Sequence, residues 1–302
     1  MKVTWLKRVL RWLVIGAVLF FLGQTLRAHW QEVLALDVSQ WRGSWLGLSF
    51  LLTLAAHGWT GWVWGWILAT LGQPVSGRWS TAIYLQTNIA KYLPGNVWHL
   101  YGRVRAAQGQ GASLAIATLS VLMEALLLVA SGLIVALLAT PQAGGGVQWL
   151  GLAAVLASLH PRALNPLLRL AGRWSGKAPE AVEQVQRYPA RPLLGEVVFL
   201  IGRSLGFLAT VHALTPLTAG QLLPLTSAYS LAWLSGMVIP GAPGGLGVFE
   251  AIALRLLTGN LDMGVLLGAI AVYRLINTVA EVAGAGLGRG MQQWADRRAR
   301  SR

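Results

Sequence analysis

The stretch Ile239-Pro240-Gly241-Ala242-Pro243-Gly244-Gly245-Leu246-Gly247-Val248-Phe249-Glu250 sets a helix breaker between two apolar runs and closes on a carboxylate. Pro240 and Pro243 remove backbone donors, while Gly241, Gly244 and Gly245 permit positive φ. A helix running through Trp233 therefore has to stop near Val238, and a new one starts near Leu246. In a bilayer such a break is tolerated only where the freed backbone is buried in protein or lines a cavity, which makes it a candidate binding site.

Composition sets that break in a membrane. Of 302 residues, 55% are hydrophobic and 11% charged, and apolar stretches of roughly 20 residues recur along the chain. The expectation is one integral membrane domain, 1–302, with no soluble catalytic domain and no bound cofactor. The net charge of +14 is carried by basic residues at the ends of apolar stretches, so topology and anionic headgroups explain it and nucleic acid does not. The absence of cysteine excludes disulfides and thiolate chemistry, and no metal site is expected. Neither a His-Glu-x-x-His pattern, a Gly-x-Ser-x-Gly elbow nor a P-loop is present, so the chain is not expected to be an enzyme.

Spans are read at about 9–26, 44–71, 113–139, 147–160, 193–214 and 263–287. The segment 162–191 carries Arg162, Arg169, Arg173, Lys177, Arg187 and Arg191 and forms the main cytoplasmic loop. Its first part, with Leu164, Leu167, Leu168 and Leu170, reads either as a topology-setting loop or as a basic amphipathic helix on anionic lipid. Bases at both chain ends place both termini in the cytoplasm of a multi-pass cell (inner) membrane protein.

A second break lies in Lys91-Tyr92-Leu93-Pro94-Gly95-Asn96, followed by Arg103. Helical runs of about 13 and 12 residues flank Pro94-Gly95, each long enough at 1.5 Å per residue to cross roughly half the hydrocarbon. With Arg78 at one end and Arg103 and Arg105 at the other, 79–107 reads as a re-entrant hairpin entered from the cytoplasm, and Asn96 as a helix N-cap. The basic tail after Leu287 makes the last span end inside, so 221–258 becomes a hairpin entered from the outer face. The fold class is therefore all-α and polytopic: about six transmembrane helices and two oppositely entered hairpins, in an inverted repeat of units 44–139 and 193–287. Threading the second break as a loop between full spans is the alternative.

Leu93-Pro94-Gly95 with the later Arg103, and Pro243-Gly244-Gly245-Leu246-Gly247 ending in Glu250, resemble the lysylphosphatidylglycerol synthase transmembrane-region family, a flippase-like group of bacterial and archaeal membrane proteins. The resemblance covers nearly the whole chain and implies the translocation half without the soluble aminoacyltransferase. Phe249 stands where a basic residue is often expected in that family.

The candidate substrate site joins the break residues Pro94, Gly95, Asn96, Pro240, Pro243, Gly244, Gly245 and Gly247 with charges expected at membrane depth. An unpaired charge at the bilayer centre costs roughly 2.5–3.5 kcal/mol, so each requires a partner, water or ligand. Arg103, Arg203, Arg274 and Lys91 are assigned to phosphate, while Glu124, Glu250 and Glu281 hold those cations or meet a headgroup or proton. Glu196 and Arg255 read as boundary residues that snorkel, and His57 and His99 as hydrogen-bonded packing residues. The expected partner is an anionic phospholipid or lipid-linked headgroup moved between leaflets, with homo-oligomerisation left open. The alternative is a membrane accessory subunit of a partner synthase or glycosyltransferase.

Overall fold

A computed structural model describes residues 41–93, 97–139, 146–166, 185, 187–239, 245, 247–257, 259 and 261–300. Among these residues the protein is all-helical, with no strand. The first set of helices is α1 (Gly43–Thr70), α2 (Gly77–Asn88) with a 3-10 turn at Ile89–Tyr92, α3 (Trp98–Gly109) and α4 (Leu114–Ala139). After α5 (Gly146–Ser158) comes a second set, α6 (Ala190–Leu214), α7 (Ala219–Val238), α8 (Val248–Leu257) and α9 (Met263–Arg300). Both sets follow one order: long helix, broken helix pair, long helix.

Three described helices, Leu114–Ala139, Ala190–Leu214 and α9 over Met263–Arg298, are long and apolar enough to cross a membrane. The expected first span and most of the cytoplasmic loop lie outside the described residues. The last helix contains the span expected at about 263–287 and continues beyond it to Arg300. Its 38 residues extend about 57 Å against a hydrocarbon core of about 30 Å, because nothing between Gly288 and Arg300 breaks a helix.

Contacts between the sets come in matched pairs. Helices α1 and α6 run antiparallel: the Arg42 amide donates to Ala213 O at 3.0 Å at one end, and Trp59 Nε1 donates to Gly195 O at 2.8 Å towards the other. The first arm of each broken pair packs on the last helix of the other set, α2 on α9 and α7 on α4. Helix α2 is nearly as polar as apolar, yet it buries Ser80 and Thr81. It can do so because Gly61 and Gly65 of α1, and Gly284 and Gly288 of α9, present backbone instead of side chains. A Cβ on Gly288 would lie 2.6 Å from Ala82 O.

The broken pairs have unequal arms. Helix α7 has 20 residues, about 30 Å, where α2 has 12 and its 3-10 turn 4. Helix α7 ends at Val238 as expected, whereas α8 starts at Val248, two residues later than expected, because Gly247 holds φ at +81°. Helix α3 takes Val97 as its N-cap, and no side chain caps it. The expected cap Asn96 lies outside the described residues.

An aromatic core of Phe207, Tyr229 and Tyr273 joins α6, α7 and α9, with ring centroids 5.2–5.6 Å apart. A second core sets Leu159, Leu164 and Val185 against Met123 and Leu127 of α4. Asn165 closes it, accepting from the Val185 amide at 2.8 Å and donating to its carbonyl at 3.1 Å. The start of the 162–191 segment is thus fastened to the bundle. Leu164 is buried in protein and cannot face lipid in an amphipathic helix.

Candidate functional site

In the first set, Arg103 of α3 is bound to Glu124 of α4. Its Nη1 donates to both carboxylate oxygens, at 2.8 and 2.6 Å, and both side chains are buried. The guanidinium carbon lies 3.6 Å over the Tyr84 ring of α2. One cation thereby ties α2, α3 and α4 together, by charge and by its π-face contact.

In the second set, Glu250 of α8 is bound to Arg274 of α9, Nε donating to Oε1 at 2.6 Å. Arg274 Nη2 also donates to Gly245 O at 3.0 Å, which fixes the broken backbone to α9. Gly245 has φ +72°, and a Cβ there would lie 2.9 Å from Gly236 O of α7. The break therefore needs glycine both for its conformation and for its approach to α7. Phe249 places its ring 4.7 Å from the Arg274 guanidinium carbon and meets Tyr229 edge-on at 5.7 Å. It serves as the face on which Arg274 rests.

A third cluster is built from both sets. His57 comes from α1, Lys91 from the 3-10 turn, Arg203 from α6, and Asn277 and Glu281 from α9. Lys91 Nζ reaches Glu281 Oε1 at 2.5 Å, and Asn277 Nδ2 donates to the same oxygen at 2.9 Å. His57 Nε2 stands 3.4 Å from Glu281 Oε1, 3.2 Å from Asn277 Oδ1 and 3.1 Å from Arg203 Nη1. Arg203 Nη1 also donates to Asn277 Oδ1. Tyr273 fixes the α6 backbone here, its hydroxyl donating to Arg203 O at 3.0 Å. Glu281 Oε2 and Arg203 Nε are buried without a protein hydrogen-bond partner among the described residues. Buried polar atoms are nearly always satisfied, so these atoms could take water or ligand; Arg103 Nε of the first pair is left in the same way.

The sequence-predicted charges thus divide. Lys91, Arg203 and Glu281 share the central cluster, while Arg103–Glu124 and Glu250–Arg274 form separate pairs beside it. Gly245 and Gly247 stand at the second break in positive φ. Pro94, Gly95, Asn96, Pro240, Pro243 and Gly244 lie outside the described residues. Asn277 was missed by the sequence reading, although its place four residues before Glu281 and three after Arg274 puts it near their shared face. His57 is hydrogen-bonded as expected, but to the charged cluster. Glu196 overturns its expectation: the residue is fully buried between α1 and α6 and cannot snorkel.

A cleft of about 340 Å³ lies at one end of the bundle, lined by Thr215, Gln221, Leu261 and Asp262, and not at the charged cluster. Among the described residues no group of His, Asp and Glu is placed to hold a metal. Fold and site define a helical protein with three described helices long and apolar enough to cross a membrane and a buried polar centre built from two similarly ordered sets. No protein-family model matches the chain, and no curated protein matches it.

Proposed function

We propose that this chain moves an anionic phospholipid or lipid-linked headgroup between leaflets, as a flippase-like transporter of the cell membrane with about six spans and both termini cytoplasmic. The observation that carries the reading is the charge of the central cluster. Lys91 and Arg203 face one carboxylate, Glu281, in a buried site where the Arg203 Nε and a Glu281 oxygen have no protein partner among the described residues. The excess of one positive charge suits a singly charged phosphodiester, which would take the Arg203 Nε donor.

The antiparallel, paired contacts of the two sets support reading them as an inverted repeat with two re-entrant hairpins. In that plan a substrate site lies at the repeat interface. The resemblance to the lysylphosphatidylglycerol synthase transmembrane region points the same way. Exchange of each set's contacts around the centre would open the site to one leaflet and then the other.

The test is leaflet exchange of chemically trappable anionic phospholipids in liposomes holding the purified chain, beside Arg203→Ala and Lys91→Ala. Exchange should fall at least tenfold in each variant at equal reconstituted amounts, roughly the loss of one charge-assisted hydrogen bond. Wild-type rates in both variants would remove the cluster from transport. Absence of exchange for every lipid in folded protein would turn attention to the accessory-subunit reading.

A further inference from the structure

Among the described residues the buried or partly buried cations Lys91, Arg103 and Arg203 all have partners, whereas the buried carboxyl of Glu196 has no ion pair. Glu196 is the seventh residue of α6, 0% exposed, and its two oxygens each lie 3.0 Å from the Thr60 hydroxyl of α1. Thr60 is itself fully buried. A single hydroxyl proton can serve only one oxygen well, so an ionised Glu196 would hold a full charge inside the bundle on one neutral donor. That arrangement is far costlier than a neutral carboxylic acid in the same place.

Among the described residues no nearby charge is left free to compensate that charge. From α3 and α4 the nearby charges are Arg103 and Glu124, which neutralise one another. From α2 the Tyr84 hydroxyl faces Thr60, and the Tyr84 ring carries Arg103. Helix α7 has no charged residue in its sequence. On α9, Arg274 is bound to Glu250 and Glu281 to Lys91. On α6 itself, Arg191 lies 4.2 Å over the Trp66 ring, Arg203 is engaged by Asn277 and His57, and His212 meets Arg42 at 3.1 Å. Among the described residues no Lys, Arg or His forms an ion pair with Glu196.

Gly195 shows how tightly the site is closed. A Cβ there would lie 2.6 Å from Val63 of α1, and its carbonyl accepts from Trp59 Nε1. The two helices therefore approach one another closely at this level.

We propose that Glu196 is a proton-binding site, protonated in this structure and hydrogen-bonded to Thr60, that gives up its proton only when α1 and α6 separate. The step is the transfer of one proton between water and the carboxylate, with no other bond made or broken. On the transport reading above, the same α6 carries Arg203 two turns further on. Movement of α6 then links discharge of the proton to exposure of the anion site, and one proton carried with one singly charged lipid leaves the cycle electroneutral.

The experiment has two arms, so that the proton site and the transport reading fail separately. The first needs no lipid substrate. Infrared difference spectra of the purified chain are recorded across a pH titration for wild type, Glu196→Gln and Thr60→Val. A protonated-carboxyl C=O band should be present in wild type, absent in Glu196→Gln and shifted in Thr60→Val, which loses the hydroxyl but keeps the shape. A band unchanged in Glu196→Gln overturns the proton site, and an unshifted band in Thr60→Val, the more conservative change, overturns the Thr60 geometry even where Glu196→Gln fails to fold. In the second arm, leaflet exchange in liposomes is measured with and without a pH gradient. The gradient should change the wild-type rate severalfold and leave Glu196→Gln indifferent, and an indifferent wild type overturns the coupling. A Glu196-dependent band in a chain that exchanges no lipid supports the proton site and overturns the transport reading alone.

Discussion

The two broken helix pairs are fastened in the same way with opposite charge. In the first set the short helix α3 carries the cation, Arg103, and the long helix α4 the anion, Glu124. In the second the short helix α8 carries the anion, Glu250, and the long helix α9 the cation, Arg274. The partners are 21 residues apart in one set and 24 in the other. Attraction is unchanged when the signs are exchanged, so the shared requirement is a pair at this junction and not a particular residue. Depth separates them: the first pair is 3% and 2% exposed, the second 11% and 15%. The first pair is a buried clamp on Tyr84, whereas the second also holds the broken backbone through Gly245 O.

The largest effect is therefore expected at the deeper pair. Arg103→Ala leaves the Glu124 carboxylate buried and unpaired and removes the cation from the Tyr84 face. It should cost about 3–5 kcal/mol, read as a large drop in melting temperature and in folded yield from detergent. Glu124→Gln added to it should recover part of the loss by removing the stranded charge. If Arg103→Ala melts like wild type, the clamp is not what holds α3 on α4.

Arg274→Ala should cost less, about 1.5–3 kcal/mol, because this pair is less deeply buried and the Glu250 left behind is less completely desolvated. Its effect should also differ in kind. Loss of the bond to Gly245 O frees the break, so protease cleavage near residue 245 should rise in Arg274→Ala and stay at the wild-type level in Arg103→Ala at matched stability. Equal cleavage in the two variants would erase the distinction between a clamp and a backbone anchor.

This asymmetry was partly legible in the sequence. The proline and glycine run from Pro240 to Gly247 fixed the end of α7 through local backbone chemistry, and a charge at each end of that logic, Arg103 and Glu250, was visible as a repeated feature. Which carboxylate meets which cation was not, because partners such as Arg103 and Glu124 are brought together by the way whole helices cross. Helical spacing put Arg274 and Glu281 on one face but left open that Glu250 takes one and Lys91 the other. Glu196 shows the limit most clearly. Distance along a helix from its end reads as depth only if nothing packs beside it, and here α1 lies antiparallel against it with Gly195 allowing close contact. Helix α9 similarly continues past Leu287 because a basic, polar sequence is as helical as an apolar one when no breaker follows.

The smallest net effect should come from exchanging the signs. Arg103→Glu combined with Glu124→Arg gives the first set the charge order that the second already has. The pair can reform, since the same two backbone positions face each other and a guanidinium reaches at least as far as a carboxylate. What is lost is the stacking on Tyr84, which faces position 103 from α2, so the double variant should remain about 0.5–2 kcal/mol below wild type while either single variant falls further. Its melting temperature separates attraction from sign, and leaflet exchange on the same protein asks a second question. A pair that only clamps α3 to α4 tolerates exchange in both assays. A pair whose arginine meets the phosphate as it passes recovers stability and still loses transport, because a glutamate at position 103 then faces the anion. Stability as poor as in Arg103→Ala would break the comparison itself, by showing that the first junction depends on its own residue and not on the pairing it shares with the second.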